Sequence, residues 1–231
     1  MKVYAHFKFD KTTSDSKKKE YRWRTLLQFG DQDNSKAWNI IGSVYLKNPG
    51  SAYPVSAQSI NDKTLLEYLK FFDDKYDWYE FKSDDTMKCI EKLFQDYNEK
   101  NSKPIPLQGV IQIFNLYNFR SADIDILHNA ISSGFLNPNS DSLLCTTTED
   151  IEALKKYEAP IYIGWRNEWE LCNVNAQRVF NFVKRTNYGK YLETNITDNK
   201  FYHPRYLYRY AKEQTIKEKE SFFQNTTKPS L

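Results

Sequence analysis

Four stretches of the chain carry side chains whose types and spacing suit the handling of a polar ring. Asn48-Pro49-Gly50-Ser51 joins an amide and a hydroxyl to a proline that fixes φ and a glycine that admits close approach to the backbone. In such a loop Asn48 can position a water or a polar ligand edge, and nearby Tyr53 can stack on an extruded base. Asn115 offers an acceptor and a donor pair, the complement of an amide-like edge such as that of a pyrimidine. Arg120, five residues on, suits a phosphate or a carboxylate. His203, followed by Pro204, can donate to an oxygen that turns negative during a reaction, and Arg205 and Arg209 can face a phosphate backbone. Each has a plainer reading: a turn for Asn48-Pro49-Gly50, a cap or turn for Asn115, solvated arginines and a satisfied histidine.

Other chemistries lack their residues. The sequence has no G-x-x-x-x-G-K phosphate loop, no G-x-G-x-x-G, no G-x-S-x-G elbow, and no zinc-deaminase pairing of H-x-E with C-x-x-C. Three scattered cysteines (Cys89, Cys145, Cys172) and three histidines give neither a disulfide framework nor a metal site. The opening run Met1-Lys2-Val3-Tyr4-Ala5-His6 has no apolar secretory core, and no run of about 18 apolar residues occurs, so we expect a cytoplasmic protein without a membrane span. Cys89 falls in a helical pattern and reads as core, and Asp84-Asp85-Thr86 reads as a helix cap.

The 231 residues are 40% hydrophobic and 16% aromatic, enough for one large domain. With 33 basic against 30 acidic residues, bulk charge does not call for nucleic acid. The charge is nonetheless segregated: residues 178–219 hold ten Lys or Arg against four Asp or Glu, and residues 60–100 hold seven against eleven. Tyr188, Tyr191, Tyr202, Tyr206, Tyr208 and Tyr210 interleave with the cations of the basic stretch, a composition that suits stacked bases and phosphates or, more plainly, a solvated helix and a tyrosine-rich edge.

The scaffold follows from periodicity. Residues 2–9 and 21–29 read as a long hairpin placed before the main fold, with Lys17-Lys18-Lys19 at its solvated tip. Tyr21, Trp23, Thr25, Leu27 and Phe29 alternate with Arg22, Arg24 and Gln28, so one face is apolar. Apolar runs at 38–46, 107–114 and 160–165 read as buried strands, and a short strand is expected near 189–193. Helical spacing marks 60–72, 85–97, 123–131, 149–157 and 174–186. The order predicts an α/β fold, a three-layer α/β/α sandwich with a mainly parallel central sheet. A single domain covers 1–210, with the hairpin of 1–30 attached, and 211–231 form a charged, flexible tail. Ligands bind beyond the carboxyl ends of strands in such folds. That singles out the loops after residues 46, 114 and 165 and the His203 segment.

The same stretches, in the same order, resemble a bacterial family known only as domain of unknown function 1643. They are Leu46-Lys47-Asn48-Pro49-Gly50-Ser51-Ala52, Asp84-Asp85-Thr86-Met87-Lys88-Cys89, Asn115-Leu116-Tyr117-Asn118-Phe119-Arg120, the strand end Gly164-Trp165 and His203-Pro204. The likeness spans residues 21–210; Lys47 is inserted, Gly50 and Asp85 replace a serine and a proline, and Gly164-Trp165 are in swapped order. More distantly the chain is similar to the uracil-DNA glycosylase superfamily, whose mismatch-specific branch has an Asn-Pro-Gly loop, a strand-end Asn and a late His-Pro or Asn-Pro loop. That resemblance implies a uracil-DNA glycosylase-like fold and hydrolysis of an N-glycosidic bond in DNA or a nucleotide, with no metal or organic cofactor. It assigns Asn48 to the water, Asn115 to the base edge and His203 to the departing base; Pro49, Gly50, Ser51, Tyr53, Arg120 and Trp165 are the residues expected around the ligand. Arg205 stands where the superfamily often has serine. Two other classes stay open: a non-catalytic nucleotide or nucleic-acid binding module, and a protein-interaction domain that uses a tyrosine-rich surface.

Overall fold

β-Branched and aromatic residues fill seven strands of one sheet, and amphipathic segments between them form helices that bury apolar stripes against it. The computed structural model describes residues 1–10, 19–30, 38–101, 107–121, 123–153, 159–165, 175–179, 181, 191–192 and 203–209. In chain order the elements are β1 (Lys2–Asp10), β2 (Lys19–Phe29), β3 (Ile40–Leu46), α1 (Lys63–Phe72), β4 (Trp78–Phe81) and α2 (Asp85–Asn101). There follow β5 (Gly109–Asn115), α3 (Ile124–Ser132), α4 (Thr148–Ala153), β6 (Ile161–Ile163), β7 (Tyr191–Leu192) and α5 (Pro204–Arg209). Residues 175–179 and 181 are also helical, within the expected 174–186 segment. The rest of that segment, residues 154–157 of the expected 149–157 helix, and the tail at 211–231 lie outside the described residues.

The strands run β4-β1-β2-β5-β3-β6-β7 across the sheet. The expectation of a mainly parallel sheet is corrected: β1–β2, β1–β4 and β2–β5 are antiparallel, while β3–β5, β3–β6 and β6–β7 are parallel, so the sheet is mixed. The reason is the hairpin. It does not precede the fold as an appendage; β2 zips along β5 from Thr25↔Ile113 to Phe29↔Gly109 and extends the sheet. β4 then adds to the outer edge of β1, and its four residues are too few for periodicity to reveal.

Alternate residues of β5 enter different apolar clusters. Ile111 and Ile113 pack with Val44, Leu46 and the α2 residues Met87, Ile90 and Phe94. Val110 packs with Trp38 and Leu69 of α1, and Phe114 with Tyr45, Leu127 of α3 and Ile151 of α4. The period-2 geometry of a strand therefore sends α2 to one face and α1, α3 and α4 to the other. The high aromatic content goes largely into these clusters: Trp78, Trp165, Tyr45, Tyr162, Phe94 and Phe114 are each under 2% exposed. Among the described residues no helix is long and apolar enough to cross a membrane, and no group of three or more His, Cys, Asp or Glu could hold a metal ion.

One glycine sets how closely α2 approaches. A Cβ at Gly42 of β3 would stand 2.1 Å from Phe94 Cε1, so the bare backbone is the seat of the Phe94 ring. Gly42→Ala forces that ring out of a packed core and should cost about 2 kcal/mol. Urea unfolding of Gly42→Ala, Phe94→Leu and the double variant checks this, because a smaller ring-site residue should recover part of the loss. Strict additivity of the two changes would show that Phe94 does not press on Gly42.

Candidate functional site

The connections define where a ligand can enter. From β3 the chain passes through α1, the edge strand β4 and α2 before entering β5 on one side, while from β6 it proceeds to β7 on the other. Loops leaving the carboxyl ends of β3 and β6 therefore diverge and leave a crevice between them. The register places Leu46, the last residue of β3, beside Asn115, the last residue of β5. On the other side of β3, the Gly164 N–H donates to the Tyr45 carbonyl at 2.8 Å. A Cβ at Gly164 would stand 3.1 Å from both Leu46 Cδ2 and Pro204 Cδ, so this glycine admits the His203-Pro204 segment onto the strand ends.

The loop after β3 is held from its back. Asn48 Nδ2 donates to the carbonyls of Pro49 and Ser121, each at 3.0 Å. Both neighbours only accept, so the amide nitrogen must face them and Oδ1 is turned away as a remaining acceptor. Arg120 completes the clamp: Nε and Nη2 donate to the carbonyls of Ala52 and Ser51 at 3.1 Å, and Nη1 pairs with Glu20 Oε2 at 2.8 Å. Its guanidinium lies 3.5 Å from the centre of the Tyr53 ring, whose hydroxyl donates to Glu20 at 3.2 Å. Arg120 thus anchors the loop through Ser51 and Ala52, with Glu20 as its charge partner. Tyr53 stacks on that clamp with half its surface exposed.

Asp84 joins the loop to α2. Its Oδ1 accepts from the Met87 N–H at 2.9 Å, the cap expected from the sequence. Its Oδ2 lies 3.1 Å from the position a Cβ would take on Gly50, and 3.9 Å from Arg22 Nη2. Arg22 is the residue sequence reasoning missed. Alternation in β2 put Arg22, Arg24 and Gln28 on a polar face, yet all three are buried, at 5%, 6% and 8% exposure. Arg22 Nε and Nη1 have no hydrogen-bond partner. Burial pulls the Arg22 guanidinium down to about 10, against the pull of Asp84 and with help from Arg120, so it stays charged at neutral pH. No sequence signal marked it: remote residues cover these arginines, Phe81 and Asp84 at Arg22, and Phe114 and Asp150 of α4 at Arg24, where a positive φ and a register shift break the alternation.

His203 is half-buried at the N-cap of α5, where its Nδ1 accepts from the Arg205 N–H at 3.3 Å. With Nδ1 bare, the proton of the neutral ring is on Nε2, which is left as a donor. Burial, then Arg205 and Lys47, push the imidazole down to about 4, and the Asp84 carboxylate opposes them. α5 is held in turn by Tyr208, whose hydroxyl donates to Asp96 of α2 at 2.7 Å. Asn115 is 3% exposed and its Oδ1 has no hydrogen-bond partner, a state that disfavours the apo protein unless a ligand supplies the donor.

The structure therefore brings Asn48, Pro49, Gly50, Asn115 and His203 to one end of the sheet, with Arg22, Asp84 and Lys47 around them. Trp165 stands apart from them: it is 1% exposed and packs edge-on against Tyr45, at 6.0 Å and 88°, in the cluster of the α3 and α4 face. Arg205 serves His203 through its backbone, and Arg209 ends α5. The described part of the basic stretch adds no other site residue. These features define a mixed α/β protein with a polar, charge-lined site at the carboxyl ends of its parallel strands. No family model, no curated protein and no solved structure matches the chain.

Two outcomes check this electrostatic picture. The His203 ring should titrate near pH 4 in an NMR titration of the folded protein, against about 6.5 unfolded. Because the unfolded state binds the proton first, His203 weakens stability as pH falls from about 6.5 towards 4 and contributes nothing to pH dependence above that window. Titration near 6.5 would remove the desolvated environment assigned to it. Separately, Arg22→Met replaces a poorly paired buried charge by an apolar chain and should raise the unfolding free energy by about 1 kcal/mol or more. A large destabilisation would instead make Arg22–Asp84 a structural ion pair.

Proposed function

We propose that the protein binds a nucleobase, presented in a nucleic-acid strand, at the carboxyl ends of β3, β5 and β6, and hydrolyses its N-glycosidic bond. The observation that carries this reading is the convergence of Asn48, Asn115 and His203, which are far apart in the chain, around one strand end. The parallel half of the sheet, β5-β3-β6-β7, flanked by helices, is read on this proposal as a three-layer glycosylase-like sandwich. The resemblance to the uracil-DNA glycosylase superfamily and to domain of unknown function 1643 supports the assignment by order and position of motifs.

The chemistry follows from the groups. Asn115 takes the N–H of a lactam edge with its unpartnered Oδ1. Asn48 Oδ1 accepts from a water and aims it at the sugar carbon, while the Asp84 carboxylate receives the proton that water gives up. As the water oxygen bonds to the anomeric carbon, the bond to the base nitrogen breaks and its electron pair leaves with the base. The neutral His203 donates from Nε2 to the carbonyl oxygen of the base on which that charge collects. With its pKa held down at about 4, the ring stays neutral at working pH and keeps the one proton that Nε2 donates. Arg22 adds a positive field in a setting of low dielectric.

A second reading, binding without catalysis, is favoured by one feature: both Asn48 amide hydrogens are committed to holding the loop. The assay that separates the two uses oligonucleotides carrying uracil, hypoxanthine or an alkylated base. Abasic-site formation lost by roughly a hundredfold or more in Asn48→Ala and in His203→Ala is expected, since each removes a group acting in the transition state. Absence of cleavage on the whole panel, with base-dependent binding that Asn115→Ala abolishes, leaves only the binding module. No base-dependent binding at all defeats both.

A further inference from the structure

Next to this site, on the face of the sheet that carries Tyr21 and Trp23, lies a cavity of about 540 Å3. That volume falls within the roughly 300–1,000 Å3 of small-molecule and cofactor sites. Its walls are the β1–β2 hairpin, the loop after α1 and the segment between α3 and α4. Lys8 and Lys19 line it, and Lys19 Nζ stands 5.1 Å from the centre of the Phe135 ring, which lines it too. Tyr76 adds a second ring, 42% exposed, and Ser140 and Ser142 add hydroxyls.

The lining charge is positive. Asp141 is the carboxylate of the wall, and it is already engaged: Oδ1 accepts from the Leu143 N–H at 3.1 Å and Oδ2 from the Tyr21 hydroxyl. Among the described residues neither lysine forms an ion pair with a carboxylate. Two ammonium groups beside hydroxyl donors are complementary to an oxyanion, and the adjacent ring faces are complementary to a flat heterocycle.

The cavity and the base site are built on one segment. Tyr21 of the cavity floor bridges to Phe119, and the Arg22 N–H donates to the Asn118 carbonyl at 2.9 Å. Two residues on, the Ser121 carbonyl holds the Asn48 amide. A chain of linked nucleotides is the form of ligand that can occupy both. We infer that the cavity binds a phosphate and the neighbouring base of a single-stranded nucleic acid, whose reactive nucleotide lies at Asn115; the base assignment rests on the function proposed above. An acidic peptide would use the lysines and leave Phe135 and Tyr76 without work.

The test is fluorescence anisotropy of the full chain with a labelled single-stranded oligonucleotide at several salt concentrations. In the Lys8→Gln/Lys19→Gln double variant we expect affinity to fall roughly tenfold or more. The slope of log affinity against log salt should drop by about 0.7, from the one phosphate that the cavity holds. Phe135→Ala should lose roughly tenfold through stacking, and Lys8→Arg/Lys19→Arg should restore binding. Mononucleotide binding should be unchanged in all of them. Unchanged oligonucleotide affinity and slope in the glutamine variant would overturn the inference, as would equal affinity for polyglutamate of matched length. The two readings fail separately: lysine dependence without any effect of Asn115→Ala defeats the base site alone, and the converse defeats the cavity alone.

Discussion

Parallel pairing on both edges of β3 is the constraint from which the rest follows. A strand bonded in parallel to β5 and to β6 has all three carboxyl ends at one edge of the sheet, and right-handed crossovers must return the chain over the faces to achieve it. The loops that leave those ends are neighbours although they begin at residues 47, 116 and 164. Reversing any one strand would send its terminal polar group to the far edge. The antiparallel hairpin does not disturb this arrangement, because among the parallel strands β2 meets β5 alone, along its outer edge. It adds instead: β2 runs opposite to β5, so its own beginning, with Lys19, Glu20, Tyr21 and Arg22, arrives at the same end of the sheet.

That arrival explains how the loop after β3 is stiffened. Glu20 comes from the hairpin, Arg120 from the segment after β5, and Ser51 and Ala52 from the loop itself; one guanidinium ties them together. A bidentate, charge-assisted clamp of this kind fixes orientation as well as distance. Asn48 is locked from a second direction through Ser121. The result is an amide whose rotamer is set before any ligand arrives, the condition for ordering a water without further loss of entropy on binding.

The electrostatics of the site come from burial more than from charge count. The Asp84 carboxylate acts on both Arg22 and His203, and desolvation is the leading cause of the shift in each. A poorly paired guanidinium and an unpartnered amide oxygen are destabilising in an empty site. Proteins keep such groups where ligand contacts compensate them, and the packing of α2 and α5 on the same face keeps water from doing so cheaply.

Element positions were legible in the sequence. The three apolar runs became β3, β5 and β6, the helical spacings became α1, α2 and α3, and Asp84 caps α2 as read. Residue types for the site were legible as well: an amide in a proline-glycine loop, an amide at a strand end and a histidine before a proline are local patterns with local physical meaning. What tertiary structure alone decided was partnership. Periodicity reports which face of a strand is apolar, and it says nothing of what will cover the other face, so Arg22 read as solvated until Phe81 and Asp84 covered it. A hairpin reads the same alone or merged into a sheet, so only the β2–β5 pairing made the sheet mixed. Arg120 and Trp165 carry binding chemistry in their side chains, but neighbours distant in the chain spend one on a clamp and the other on a core. Burial and hydrogen-bond partners are properties of contacts between remote segments, and a sequence fixes the chemistry of each group while leaving its company to the fold.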